Sequence, residues 1–205
     1  GGCVMDLGIH LVDLATWIAG DVDHGSIDSR LHSQGRPLVQ PLEAVEDYAT
    51  AQWRMKSGAA ARLACSWRLP AGRDAVIEAA FYGTRGGAAL RNVDGSFYDF
   101  TVDRFDGTTR QRLAAPPDAW GGRTLVQWAH QLSQDPRFDP RAEHLLDAHL
   151  NVVAIELEAP LGKRLGELNG EFALGALAGV PLFAGGPVQT EQLLLVAWQN
   201  QDDGF

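Results

Sequence analysis

Two runs of strict alternation, joined by a short turn, constrain this chain more than any other feature. In Asp47–Met55 the positions Ala49, Ala51, Trp53 and Met55 are apolar, while Thr50, Gln52 and Arg54 between them are polar. After Lys56-Ser57-Gly58 the alternation resumes, with Leu63, Cys65, Trp67 and Leu69 on one side and Arg62, Ser66 and Arg68 on the other. A period of two sends successive side chains to opposite faces of a sheet. A glycine in a short connection supplies the turn, so the pair predicts a β-hairpin. Ile77, Ala79 and Phe81 predict a further strand, and residues 26–34 an edge strand. Tyr98, Phe100 and Val102, alternating with Asp99, Thr101 and Asp103, predict another. Asp94-Gly95 and Asp106-Gly107 supply the left-handed residues that tight turns require, and Thr84-Arg85-Gly86-Gly87 reads as a turn between strands. Strands joined by short turns must pair antiparallel, because parallel pairing needs long crossovers. One apolar and one polar phase then place helices on one face only.

The helices lie at either end of this strand region. From Asp6 to Ala19, Leu7, Leu11, Leu14, Trp17 and Ile18 recur at helical spacing, and Gly20 is a natural stop. After Pro116-Pro117, one stripe holds Leu125, Trp128, Ala129 and Leu132, and the next holds Leu145, Leu146, His149, Val152, Val153 and Leu157. Residues 1–158 therefore predict an α+β domain, a predominantly antiparallel sheet with helices packed on one face. Residues 159–205 are glycine-rich without a helical period, with strand-like stretches at Val180–Phe183 and Leu193–Trp198. Half a sheet domain leaves unpaired edges, so this tail is expected to pack poorly.

Composition removes several function classes. The chain has 205 residues and a formal charge of −9, with its basic residues scattered, which argues against nucleic acid as a partner. No apolar run is long enough to cross a bilayer, and no secretory signal pattern opens the chain. Cys3 and Cys65 are too few for a disulfide framework or a zinc cluster, which points to a reducing cytoplasm. Gly1-Gly2 leads straight into a helix loaded with titratable groups, and a segment upstream is expected.

Those groups are Asp6, His10 and Asp13, spaced i, i+4 and i+7. On an α-helix they share one face. A carboxylate one turn from an imidazole can set its tautomer, an arrangement suited to proton transfer. The plainer reading makes Asp6 a cap for the helix start and His10 a half-buried helix residue. Asp13, a turn further on, suits a structural salt bridge or cap contact. Three ligands from one helix spread over about 10 Å of axis, and without a fourth nearby no metal is assigned. His24, His32, His130, His144 and His149 are scattered and default to core or surface positions. Ser66 and Cys65 lack a nucleophile elbow. Cys3, beside the site, is either reactive or a small buried hydrophobe. Trp53 and Trp67 lie on the apolar phase and are expected in the core.

The opening run resembles the start of the C-terminal domain of the Gfo/Idh/MocA oxidoreductases, where a glycine-rich turn leads into Asp-x-Gly-x-His-x-x-Asp. In this chain the motif is Gly1-Gly2 followed by Asp6-x-Gly8-x-His10-x-x-Asp13. Glu46-Asp47-Tyr48-Ala49, through Gly58 to Ser66-Trp67, looks like that family's first long hairpin. The resemblance covers residues 1–158. It implies a substrate-binding and oligomerisation domain of an enzyme that acts on a sugar, cyclitol or related polyol with NAD or NADP. It also implies His10 as proton acceptor or donor with Asp6 as its partner, and association of subunits through the open sheet face. A Rossmann domain with a Gly-rich loop and a lysine in a Glu-Lys-Pro context should stand beside it, and no Gly-x-Gly-x-x-Gly occurs in this sequence. The alternative is a non-catalytic oligomerisation or interaction module with a vestigial site. The tail carries a second resemblance, to the YqgE/AlgH family, in Leu161–Leu168 and Val180–Val188. It implies a partial segment at 159–205 and adds no chemistry.

Overall fold

The computed structural model describes residues 1–39, 41–161 and 190–199. A π-helical turn, Val4–Gly8, runs into helix α1 (Ile9–Ala19), which Gly20 ends at φ 88° while its N–H bonds the Thr16 carbonyl. Then come strands β1 (Val22–Ser33), β2 (Arg36–Pro37), β3 (Tyr48–Met55), β4 (Ala60–Ser66), β5 (Ala75–Gly83), β6 (Gly86–Asn92), β7 (Phe100–Asp106) and β8 (Thr109–Ala114). Helix α2 (Trp120–Gln134), a short 3₁₀ turn (Pro140–Glu143), helix α3 (His144–Leu161) and strand β9 (Thr190–Gln199) follow. This is the α+β architecture that the alternation predicts.

The sheet order is β2-β1-β3-β4-β9-β5-β6-β7-β8, antiparallel throughout except for the β4–β9 pair. The hairpin forms as the period dictates: Ala49, Ala51, Trp53 and Met55 are buried on β3, and their paired residues Ala61, Leu63 and Cys65 are buried on β4. Thr84-Arg85 turns β5 into β6. A Cβ on Gly86 would lie 2.7 Å from the Phe105 carbonyl oxygen, and one on Gly87 2.8 Å from that of Phe81, so strand crowding demands glycine at both positions. Asp94-Gly95 and Gly107 take positive φ at the next two turns. Of the expected strand 26–34, residues 26–33 fall within β1 and Gln34 begins the turn after it; β1 is longer than expected and is bordered at one end by the two-residue β2.

Three expectations are corrected. The Tyr98–Val102 alternation does not send its apolar phase inward: Tyr98 is 74% exposed, and the buried residue of β7 is Asp103. Arg112 Nε reaches one of its oxygens at 2.5 Å and Arg110 the other at 2.6 Å, both from β8, so paired charge takes the place of an apolar residue. The α2 stripe packs on nothing among the described residues, since α2 buries no side chain and Leu125, Trp128 and Leu132 are exposed. What holds its first turn is the Trp120 indole, which donates to the Tyr98 carbonyl and meets Phe100 edge-on. On α3 the inward residues are Ala148, Asn151, Val152 and Ile155, whereas Leu145, Leu146, His149 and Leu157 face out. Val152 of the predicted stripe is buried, but most of the stripe is not, and two polar bonds tie the buried face of α3 to β1. Asn151 Oδ1 lies 2.6 Å from His24 Nε2, and Ser29 Oγ donates to the Ile155 carbonyl at 2.6 Å.

The tail also departs from expectation where it is described. Thr190–Gln199 is bonded on both edges, to β4 and to β5, and stands mid-sheet. The connection between β4 and β5, residues 67–74, is longer than a tight hairpin, so two strands adjacent in sequence can stand either side of a third. Val180–Phe183 and most of the YqgE/AlgH-like segment lie outside the described residues. The core sits between this sheet and α1 and α3, with Val4, Leu11, Val12 and Ala15 facing Leu31, Met55, Leu63, Val152 and Ile155.

Burial pushes the Asp103 carboxyl up, but the two guanidinium groups outweigh it and hold it below the usual carboxylate value. A group so depressed stabilises the fold above its unfolded pKa of about 4 and loses that contribution as pH falls through the folded value. Asp103→Asn should cost about 1–3 kcal/mol at neutral pH, and urea titrations should show the difference from wild type closing in acid. A difference that persists into strong acid would refute the ion-pair account.

Candidate active site

The site forms where the first helical turn meets the end of β4. Val4–Gly8 is π-helical, the Ile9 N–H bonding back to the Val4 carbonyl, and such wide turns are frequent at functional sites. Two glycines lie at its closest contacts. A Cβ on Gly8 would lie 3.3 Å from Leu63 and 3.6 Å from Cys65 Sγ, so the helix rests almost directly on β4. A Cβ on Gly2 would fall within 2.1–2.2 Å of the Glu46 carboxyl.

Glu46, from the segment before β3, is the cap of this helix. Its buried carboxylate accepts from the Val4 N–H at 3.1 Å, and its carbonyl accepts from the Cys3 N–H at 3.1 Å. An anion at a helix start satisfies open N–H groups and favours the dipole. Asp6 therefore does not cap the helix. Its exposed carboxylate accepts from Trp67 Nε1 at 2.9 Å, while the Trp67 backbone N–H is held by the Asp47 carbonyl at 2.9 Å.

His10 is exposed, one turn beyond Asp6, and its ring has no hydrogen-bond or ion-pair partner among the described residues. Asp6 is not bonded to it. The Asp6 carboxylate is taken by the Trp67 indole instead. Asp13 goes elsewhere, its Oδ1 lying 3.7 Å from His144 Nε2 at the contact between α1 and α3. The three residues of the motif thus diverge, two at the β4 end and one toward α3. Among the described residues no three His, Cys, Asp or Glu side chains are grouped as metal ligands.

Sequence reasoning missed three contributors. Trp67, assigned to the core by its phase, is half-buried and turns its indole N–H to Asp6, whereas Trp53 is a core residue that donates to Met55 Sδ. The signal was available: Trp67 stands after the last paired residue, where a strand's phase no longer governs. Glu46 stands in the sequence only as part of the Glu46-Asp47-Tyr48-Ala49 run that opens the hairpin. Glu156, on α3, was not singled out; burial and then the nearby Glu46 carboxylate push its carboxyl up, and its Oε1 has no hydrogen-bond partner among the described residues. Neither carboxylate could be placed without the tertiary fold. Of the remaining histidines, His24 bonds α3, His32 meets Tyr48 edge-on, and His130 lies 3.0 Å from the Gln134 amide. No strand–glycine-rich turn–helix unit occurs among the described residues. Gly86-Gly87 opens a strand, so these residues offer no phosphate cradle for a dinucleotide.

An antiparallel sheet with its helices on one face, and a Gly-Gly-led helix docked on the first hairpin, define the class. Residues 1–89 match the family model of the GFO/IDH/MocA C-terminal domain. No curated protein sequence matches the chain. Among solved structures, the aldose-aldose oxidoreductase from Caulobacter crescentus, complexed with glycerol, aligns at TM-score 0.57 and 18% identity, covering 78% of this chain and 45% of that one. The 3-ketoreductase KijD10 from Actinomadura kijaniata, in complex with TDP-benzene and NADP, gives 0.56 at 16% identity over 78% and 48%. A levoglucosan dehydrogenase in complex with NADH and L-sorbose gives 0.55 at 16% identity over 78% and 48%. At these identities the likeness is one of fold, and the chain spans less than half the length of those structures.

The cap assignment is testable as a coupled pair. Gly2→Ala pushes the Glu46 carboxylate off the Val4 N–H and should cost about 1–2 kcal/mol, as lost caps do. In a Glu46→Ala background the same change should cost much less, because the two act through one contact. Additive costs by thermal unfolding would show that Glu46 is not the cap.

Proposed function

We propose that this chain supplies the substrate-binding portion of an NAD(P)-dependent oxidoreductase acting on a sugar, cyclitol or related polyol. The observation that carries the reading is the Asp6–Trp67 hydrogen bond beside an exposed, unpartnered His10. A carboxylate held by an indole, an amphipathic aromatic edge and a free imidazole together suit a polyhydroxylated ligand. The carboxylate accepts from one hydroxyl, and the imidazole takes the proton of another as it is oxidised, or returns it in reduction. Histidine titrates in the range where such transfer works at neutral pH. Solved structures of this fold include enzymes complexed with glycerol and with L-sorbose, which supports the substrate class.

In this reading NAD or NADP belongs to a nucleotide-binding domain beyond the described residues. Residues 1–158 are the substrate-binding and oligomerisation domain, and 159–205 a YqgE/AlgH-like tail that lends β9 to the sheet. The location is a reducing cytoplasm, where Cys3 and Cys65 stay thiols. No described helix is long and apolar enough to cross a membrane.

A second reading has its own observation. Leu125 and Trp128 on α2 are 67% and 61% exposed, and Leu145, Leu146 and Leu150 on α3 are also exposed. Apolar helix surface of this kind is what an interaction module would bury against a partner, including another copy of this chain.

The two readings separate by NMR on the Trp67 indole N–H. A panel of sugars, cyclitols and linear polyols should contain a member that shifts this resonance saturably, with Asp6→Ala weakening binding about tenfold, the loss expected of a charged hydrogen bond. In the assembled oxidoreductase, His10→Ala should lower kcat by about 10²–10⁴ with little change in binding. If no polyol moves the indole signal, the interaction reading stands instead.

A further inference from the structure

Cys3 and Cys65 are both buried, and their sulfurs stand 3.8 Å apart. Cys3 Sγ also lies 3.6 Å from the Cys65 carbonyl oxygen. The two come from distant parts of the chain: Cys3 begins the helical turn, and Cys65 sits near the end of β4. Their approach rests on the same close docking that Gly8 permits. The proposed chemistry uses neither sulfur. A disulfide needs about 2.05 Å between sulfurs, so two side chains already in contact close it with a displacement of roughly 1.8 Å between them.

We propose that Cys3 and Cys65 are a redox-responsive dithiol, which forms an intramolecular disulfide when the protein meets a peroxide. One thiolate attacks a peroxide oxygen, the O–O bond breaks, and a sulfenic acid forms as the first water leaves. The second thiolate then attacks the sulfenic sulfur, the S–S bond forms, and the expelled hydroxide is protonated to a second water. Two S–H bonds are lost, and the peroxide takes both electrons and both protons. Both thiols are buried, 0% and 1% exposed, so oxidation is slow while the fold stays closed. That setting keeps the pair reduced under ordinary conditions. Once formed, the bond ties the turn that carries Asp6 to the strand that ends before Trp67. It therefore locks the helix–strand contact on which the candidate site is built.

The proposal concerns thiol chemistry and is read without reference to any substrate, so its outcome is independent of the oxidoreductase reading. The reduced full chain is treated with hydrogen peroxide, alkylated, and examined by intact and peptide mass spectrometry. The expected product has lost the mass of two hydrogens, takes up no alkylating agent, yields a Cys3–Cys65 cross-linked peptide, and is restored by dithiothreitol. Its melting temperature should rise by roughly 5–15 °C over the reduced form, the range expected for closing a long loop. Cys65→Ala should lose the cross-link and instead add oxygen at Cys3. Separate addition of oxygen to each cysteine of the wild type, covalent dimers, or two thiols that stay alkylatable would each overturn the proposal.

Discussion

The chain's first helical turn rests on β4 so closely that a Cβ at position 8 would meet Leu63 at 3.3 Å, and much of the rest depends on that contact. Close docking brings Cys3 to Cys65, sets Val4 into the core and puts Asp6 within reach of the Trp67 indole. It is held at one end by a carboxylate from another segment. Glu46 satisfies open N–H groups that no residue of the helix satisfies, and Gly2 leaves the space for it. A helix start built this way is fixed in position before any ligand arrives. Preorganisation of that kind is what the proposed proton-transfer role would require.

The same contact explains why Asp6 and His10 divide their roles. Four residues apart on one helical run, the two could share a carboxylate–imidazole hydrogen bond, but the Trp67 indole captures the carboxylate. What results is an exposed carboxylate held by an indole, with an exposed imidazole four residues further on. Asp13, which completes the motif in sequence, lies near His144 at the contact between α1 and α3.

Away from the site the molecule is less evenly consolidated. The helices α1 and α3 cover the half of the sheet built from β1, β3 and β4, and the core is concentrated there. The β7–β8 end relies on a buried carboxylate between two arginines, and α2 keeps its apolar stripe in the open. The strand β9 bridges the two halves, bonded along both edges. Without it the remaining strands would fall into two four-stranded groups, β2-β1-β3-β4 and β5-β6-β7-β8.

By itself the sequence determined the hairpin, its turn at Gly58, the helix stop at Gly20 and the strand turn at Gly86-Gly87. These are local: a period of two, or a glycine where φ must be positive or backbones must touch, acts over a few residues and can be read there. It also marked Asp6 and His10 as a candidate pair. Only the tertiary structure decided what they touch. Glu46, Trp67 and Glu156 join the site from segments far along the chain, and no spacing rule links them to it. The buried face of α3 is tied to β1 through His24 and Ser29, and the place of β9 was set by two strands it does not neighbour in sequence. Periodicity reports how much apolar surface an element carries; which partner covers that surface, and which polar atom turns it, is settled only when distant segments compete for the same contacts.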